Sequence, residues 1–303
     1  MSFLYMLENI RIPIVNELML TVTYLGDEIA FLVVALILIW CADKKTGYFV
    51  LSVGFVGTIA NQFMKLWFRI PRPWVLDPEF TILEQAREGA SGYSFPSGHT
   101  QSSVGTFGAI AVTAKNKILR IACIIVAILV PFSRMYLGVH TPLDVGVAVA
   151  MALALIFVLK PVILGNNKHV FPIFLGIMLT LSVAFLCFVE LYPFPDDIDP
   201  HNMASGLKNA YTLLGSILGM IVVYVVDEKW LHFPTKAVWC AQVLKVTIGL
   251  ALVLAVKSGL KDPLEGMFGM LTGRAVRYFL IVIIAGVVWP LSFKWFAKLG
   301  IKE

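Results

Sequence analysis

Charge is scarce in this sequence of 303 residues. Asp, Glu, Lys and Arg together make up 14% of it, against about 25% in an average soluble domain. With 59% hydrophobic residues and a mean hydropathy of +0.85, one soluble core could not hide the apolar side chains. Cysteine is equally sparse. Cys41, Cys123, Cys187 and Cys240 sit in or beside apolar runs, with no CxxC and no Cys/His ligand spacing. Neither a disulfide framework nor a zinc site is therefore indicated. No N-x-[ST] sequon, low-complexity run or solenoid repeat occurs. Glu8, Arg11 and Glu17 interrupt the first residues, which lack the basic, apolar and small-residue regions of a signal peptide. Low charge together with 21 Phe, 7 Trp and 9 Tyr excludes disorder.

What is present is a series of apolar segments, at about 22–41, 46–68, 98–114, 118–134, 142–159, 170–191, 208–226, 238–257 and 275–296. At roughly 20 residues per crossing, they predict an all-α, polytopic transmembrane helical bundle of about nine spans. Asp27 and Glu28 interrupt the first of these. Residues 1–21 read as an interfacial segment, broken by charges and by Pro13. The longest polar segments are 69–97 and about 192–207.

The net charge of +5 does not point to nucleic acid, because the basic residues are scattered over short loops. The loops near 42–45, 115–117, 160–169 and 227–237 would share one face with the C-terminus. With Arg120 and Lys245, that face carries 13 Lys and Arg against 4 Asp and Glu, and the other carries 11 against 15. The basic face is expected to be cytoplasmic. The N-terminus and the loops 69–97 and 135–141 then lie outside.

Three polar clusters fall on that outer side. Lys65 ends the second span, and Arg69, Pro71, Arg72, Pro73 and Trp74 follow it. Phe95-Pro96-Ser97-Gly98-His99 opens the third span. Ser133-Arg134 and His140-Thr141-Pro142-Leu143-Asp144 connect the fourth span to the fifth. Lys65, Arg72 and Arg134 supply cations, two of them with the planar fork that suits phosphate oxygens. Ser97 and Gly98 begin a helix, where free N–H groups and the dipole favour an anion, and Gly98 lets a ligand oxygen approach the backbone. His140 and Asp144 are four residues apart, so the carboxylate can turn back to the imidazole and stabilise its charged form. With His99 as a second proton carrier, the set is equipped for phosphoryl transfer. No metal or other cofactor is called for.

The pattern Lys65-x6-Arg72-Pro73, Pro96-Ser97-Gly98-His99 and Ser133-Arg134-x5-His140-x3-Asp144 resembles the three-part signature of the type 2 phosphatidic acid phosphatase superfamily, which includes the vanadium haloperoxidases. The likeness covers roughly residues 46–159. It implies a six-helix phosphatase core within 22–191 and three additional spans within 192–303. The nine-span layout, and segments such as Leu207-Lys208-Asn209, bear a weaker likeness to the glucose-6-phosphatase and sphingosine-1-phosphate phosphatase branches. The resemblance further implies that His140 attacks phosphorus and that Asp144 orients it. His99 would protonate the leaving group and then activate water. Lys65, Arg72, Ser97, Gly98 and Arg134 would hold the phosphate oxygens.

The expected substrate is a lipid phosphate or diphosphate of the undecaprenyl diphosphate, phosphatidic acid, phosphatidylglycerol phosphate or sphingoid phosphate type. Membrane lipids are the other partners, and oligomeric state is not legible. The alternatives are a sugar-phosphate phosphatase and a non-catalytic phospholipid-binding or transport protein. Each residue alone also has an ordinary reading. Lys65 can snorkel from a helix end, Ser97 can simply cap a helix, and the arginines can anchor at head-group level. Trp67, Trp74, Tyr93, Phe95 and Tyr136 suit an aromatic belt, and Trp74 and Tyr93 could also line the approach for a lipid tail. His169 and His232 fall near the basic face. His201, beside Asp196, Asp197 and Asp199, reads as part of a solvated acidic loop rather than a cation site. Lys245 lies within an apolar run and is expected to snorkel.

Overall fold

The computed structural model describes residues 1–90, 92–196 and 198–299. Asp197 and residues 300–303 lie outside the described residues. The chain up to residue 164 forms α1 (Ser2–Asn9), α2 (Pro13–Thr23), α3 (Glu28–Ile37), α4 (Lys44–Phe68), α5 (Pro73–Leu76), α6 (Gly98–Thr113), α7 (Lys117–Tyr136) and α8 (Pro142–Leu164). The rest forms α9 (Val170–Leu191), α10 (Pro200–Val226), α11 (Trp239–Gly259), α12 (Lys261–Phe268), α13 (Met270–Ile283) and α14 (Phe293–Phe296). Among the described residues no strand occurs, and the protein is a polytopic helical bundle.

Among the described residues, seven helices are long and apolar enough to cross a membrane. The run Pro13–Gly26 with Glu28–Ala42, bent by 56° at Asp27, makes an eighth if taken as one span. The expected third crossing is α6. Its sixteen residues rise only about 24 Å, short of the ~30 Å hydrocarbon layer. Thr100, Gln101, Ser103 and Thr106 are buried on it, so protein rather than lipid surrounds much of α6.

Two compact units divide the chain. The first comprises Met1–Leu32, Phe49–Pro161 and Pro193–Gly206. Here the ends of four helices meet: α4 and α7 finish where α6 and α8 begin. Each end has a local cause. Ser97 caps α6, its hydroxyl accepting from the Thr100 N–H at 3.4 Å. Thr141 and Asp144 cap α8 reciprocally, with Thr141 N–H to Asp144 Oδ2 at 2.7 Å and Asp144 N–H to Thr141 Oγ1 at 3.2 Å. After α4 the chain turns through Arg69, whose φ of 51° is left-handed. The segment 69–97 then folds back, Ser94 N–H donating to Ile70 O at 2.8 Å. α4 and α6 approach closely where Gly57 faces Gln101, because a Cβ at Gly57 would overlap the Gln101 amide.

The N-terminal helices are fastened to the same loops. Leu4 and Leu7 are buried. Arg11 donates to Tyr136 O at 3.1 Å and to Thr81 O at 2.8 Å. The Tyr136 hydroxyl donates to Asn16 Oδ1 at 2.8 Å.

The second unit comprises Val33–Tyr48, Val162–Tyr192 and the described residues from Leu207 on. Its most deeply buried charged residue, among those described, is Lys245, which does not snorkel as expected: it is 0% exposed. Its ammonium donates to Trp40 O at 2.7 Å and Thr235 O at 3.0 Å and lies over the Phe293 ring. Carbonyls and a ring face solvate the charge in place of water.

Substituting Gly57→Val should overpack the α4–α6 contact and cost about 1–3 kcal/mol. Thermal unfolding in detergent micelles should register it as a lower midpoint.

Candidate active site

All eight expected site residues lie in the first unit, on those converging helix ends. Lys65 is in the last turn of α4, Arg72 precedes α5, and Ser97, Gly98 and His99 open α6. Arg134 is in the last turn of α7, His140 lies in the following loop, and Asp144 is in the first turn of α8. Lys65, Arg72, Gly98, His99 and His140 line one cavity of about 180 Å³. Ser97, Arg134 and Asp144 are buried in the surrounding structure.

The cations are held chiefly by backbone carbonyls. Lys65 Nζ donates to Tyr93 O at 2.7 Å. Arg72 donates to Gly92 O at 2.8 Å and to Val139 O at 2.9 Å. Arg134 donates to Thr23 Oγ1 at 2.7 Å and to Gly89 O at 3.4 Å, and its Nε makes no hydrogen bond. Carbonyl and hydroxyl oxygens of this kind fix the heads in place and carry no charge of their own to cancel theirs. Gly98 is open in front: a Cβ there would meet only Asn61 Oδ1, at 3.7 Å.

His140 sits against Arg72, with Nε2 at 2.9 Å from Nη1. A guanidinium offers only donors, so Nε2 is assigned as the acceptor and Nδ1 carries the proton. Nδ1 faces Ser94 Oγ at 3.4 Å and Asp144 Oδ2 at 3.5 Å. At that separation the expected His140–Asp144 contact is too long for a good hydrogen bond. The short bonds to Asp144 Oδ2 come from Ser94 Oγ at 2.5 Å and Thr141 N–H at 2.7 Å. His99 Nε2 contacts Asp27 Oδ1 at 2.7 Å.

A profile of the PAP2 superfamily matches residues 45–168. A second, the transmembrane extension of PAP2 superfamily phosphatases, matches residues 211–302. Over 165 residues the chain is 31% identical to phosphatidylglycerophosphatase B of Bacillus subtilis (strain 168), covering 50% of this chain and 76% of that protein. The chain belongs to the PAP2 superfamily. It is also 31% identical over 137 residues to an undecaprenyl-diphosphatase of Sulfolobus acidocaldarius, covering 45% of this chain and 64% of that one. To undecaprenyl-diphosphatase BcrC of Bacillus subtilis (strain 168) it is 28% identical over 150 residues, 47% and 75% of the two chains. No solved structure matches. The chain is therefore a membrane phosphatase, and the PAP2 match contains every one of the eight residues above.

Among the residues at this PAP2 site that sequence reasoning missed are Ser94 and Asp27. Ser94 links Asp144 to the His140 ring, yet nothing in its spacing distinguishes it from an ordinary loop serine. Asp27 looked like an interruption of the first span, although a charge inside an apolar run was itself a signal. The acidic loop is also placed differently. His201 and Asn202 line the cavity, Asn202 Oδ1 accepts from Tyr93 N–H at 2.7 Å, and Asp199 Oδ1 caps α10 through Asn202 N–H at 2.9 Å. Among the described residues no group of three or more His, Cys, Asp or Glu is arranged to hold a metal. Arg69 stays outside the cavity lining.

Burial pushes the His140 imidazole well below its usual protonation range, and the nearby Arg72, Arg134, Lys65 and His99 push it further. The ring is thus neutral at physiological pH, with Nε2 carrying a lone pair. Ser94→Ala removes one short bond to Asp144, worth about 1 kcal/mol or more. Phosphate-release kinetics should then give a kcat roughly tenfold lower with KM little changed.

Proposed function

We propose that this phosphatase hydrolyses a lipid phosphate or diphosphate at the extracytoplasmic face of the membrane through a phosphohistidine on His140. The single observation that carries the reading is the convergence of two cations, Lys65 and Arg72, and two imidazoles on one small cavity, with Arg134 buried in the structure around it. In the first step His140 Nε2 attacks phosphorus and the bond to the leaving oxygen breaks. The electron pair stays on that oxygen, which takes a proton from His99. In the second, His99 removes a proton from water, the water oxygen bonds to phosphorus, and the N–P bond returns its pair to Nε2. Lys65, Arg72, Arg134, Ser97 and the Gly98 N–H hold the phosphoryl oxygens as charge develops on them. Asp144 orients His140.

Two considerations support a lipid, and a third supports the side of the membrane. The relatives are named for a phosphatidylglycerol phosphate and for undecaprenyl diphosphate. The cavity, at about 180 Å³, is smaller than the ~300–1,000 Å³ that encloses a whole small molecule, so it suits a phosphoryl head whose tail stays in the bilayer. The charge count over the loops favours an outward-facing site.

The deciding experiment is phosphate release from long-chain lipid phosphates and diphosphates and from glucose 6-phosphate, with chelator present. Wild type should prefer the lipids, be inhibited by vanadate, and lose all turnover in His140→Ala although that protein still inserts. Preference for the sugar would overturn the substrate. Binding without hydrolysis would favour a non-catalytic lipid-binding protein, and loss of activity with chelator would overturn the metal-independent steps. The pH profile gives a separate check. Protonated His140 has no lone pair to attack with, so activity falls as pH drops through its pKa. Because that value is depressed, the acid limb of kcat/KM should lie below about 6.5, the ordinary imidazole value.

A further inference from the structure

We infer that Asp27 is a positioning residue for His99, and that the break between α2 and α3 is a working part of the active site. The inference rests on the proton-carrier reading of His99 given above. It deepens that reading with a residue outside both the three-part signature and the PAP2-matched segment.

The helical run that starts at Pro13 stops at Gly26, and a new one starts at Glu28. Gly26 allows the break to lie against the start of α6. A Cβ there would come within 2.9 Å of His99 O and 2.8 Å of the Val130 side chain. Two neighbouring residues then reach into the site. Thr23 accepts from Arg134 at 2.7 Å, and Asp27 Oδ1 meets His99 Nε2 at 2.7 Å. Asp27 holds the N-cap position of α3, its carbonyl accepting from Phe31 N–H at 3.1 Å. An aspartate there commonly caps its own helix, but this carboxylate is turned to the imidazole.

The groups that face His99 define what the contact does. Arg134 from α7, Arg72 from the loop after α4, and His140 all act on it electrostatically. The cations disfavour an imidazolium, and Asp27 is the carboxylate in direct contact with the ring. A carboxylate accepting the Nε2 proton fixes the ring's orientation and tautomer and stabilises the protonated form against those cations. Nδ1 is left to meet the leaving oxygen. When the P–O bond breaks, Nδ1–H passes its proton to that oxygen, and the neutral ring remains bonded to Asp27 through Nε2–H.

Leaving-group dependence tests this. A long-chain alkyl phosphate needs a proton on its departing oxygen, whereas p-nitrophenolate departs without one. In Asp27→Asn, kcat/KM should fall about 10- to 100-fold for the alkyl phosphate, part of the ~10²–10⁴ that a positioned acid supplies. It should fall less than about threefold for p-nitrophenyl phosphate. Asp27→Glu should recover most of the loss, and the alkaline limb of the pH profile should move to lower pH in Asp27→Asn. Equal losses on both substrates, or none on the alkyl phosphate, would overturn the role of Asp27. If Asp27→Asn does not accumulate in membranes, Asp27→Glu carries the comparison, with partial and leaving-group-selective loss expected. His140→Ala, measured alongside, separates the two readings: activity in that variant sinks the phosphohistidine mechanism whatever Asp27 does.

Discussion

Gathering three cationic heads around a cavity of about 180 Å³ is the constraint on which the rest of this phosphatase depends. Arg72 and Arg134 are buried, and like charges at such proximity repel strongly where the dielectric is low. The protein surrounds them with the carbonyls of Gly89, Gly92, Tyr93 and Val139, dipoles that hold a cation yet leave its charge available. Three of these four carbonyls belong to the long segment 69–97, which gives that polar stretch its physical purpose. Gly92 and Gly138, both at positive φ, allow the turns beside Tyr93 and Val139 that bring those carbonyls to their cations. An electropositive cavity built this way is most stable when it holds a multiply charged anion.

Hydropathy alone was enough to predict a helical membrane bundle, because burial in lipid demands apolar runs. Spacing picked out eight candidate residues, and the fold brings five of them, Lys65, Arg72, Gly98, His99 and His140, to one cavity. The misses concern tertiary contacts. Nothing in 98–114 says that protein rather than lipid surrounds α6, because small and hydroxyl-bearing residues satisfy an apolar window as well as they fill a helix contact. Lys245 has the position of a snorkelling lysine, and only its tertiary neighbours, Trp40 and Thr235, reveal that carbonyls solvate it. Ser94, Thr23 and Asp27 act across sequence distances of 50, 111 and 72 residues, which no spacing rule within a motif could anticipate.

The two imidazoles occupy unlike environments, and that difference matches the division of labour proposed for them. His140 is buried among cations, and the short hydrogen bonds of its acid, Asp144, go to Ser94 and Thr141. Such surroundings disfavour the charged ring, which suits the nucleophile proposed above. His99 is partly exposed and touches a carboxylate directly, which suits the proton carrier proposed above. Placing titratable groups of one type in opposed settings is how a site assigns distinct roles at one pH. Here the assignment is made largely from outside the phosphate-binding signature. Ser94 comes from the loop before α6, and Asp27 and Thr23 come from the N-terminal helices. Chains that share the signature but differ in this outer layer would bind phosphate alike and differ in how they move the proton.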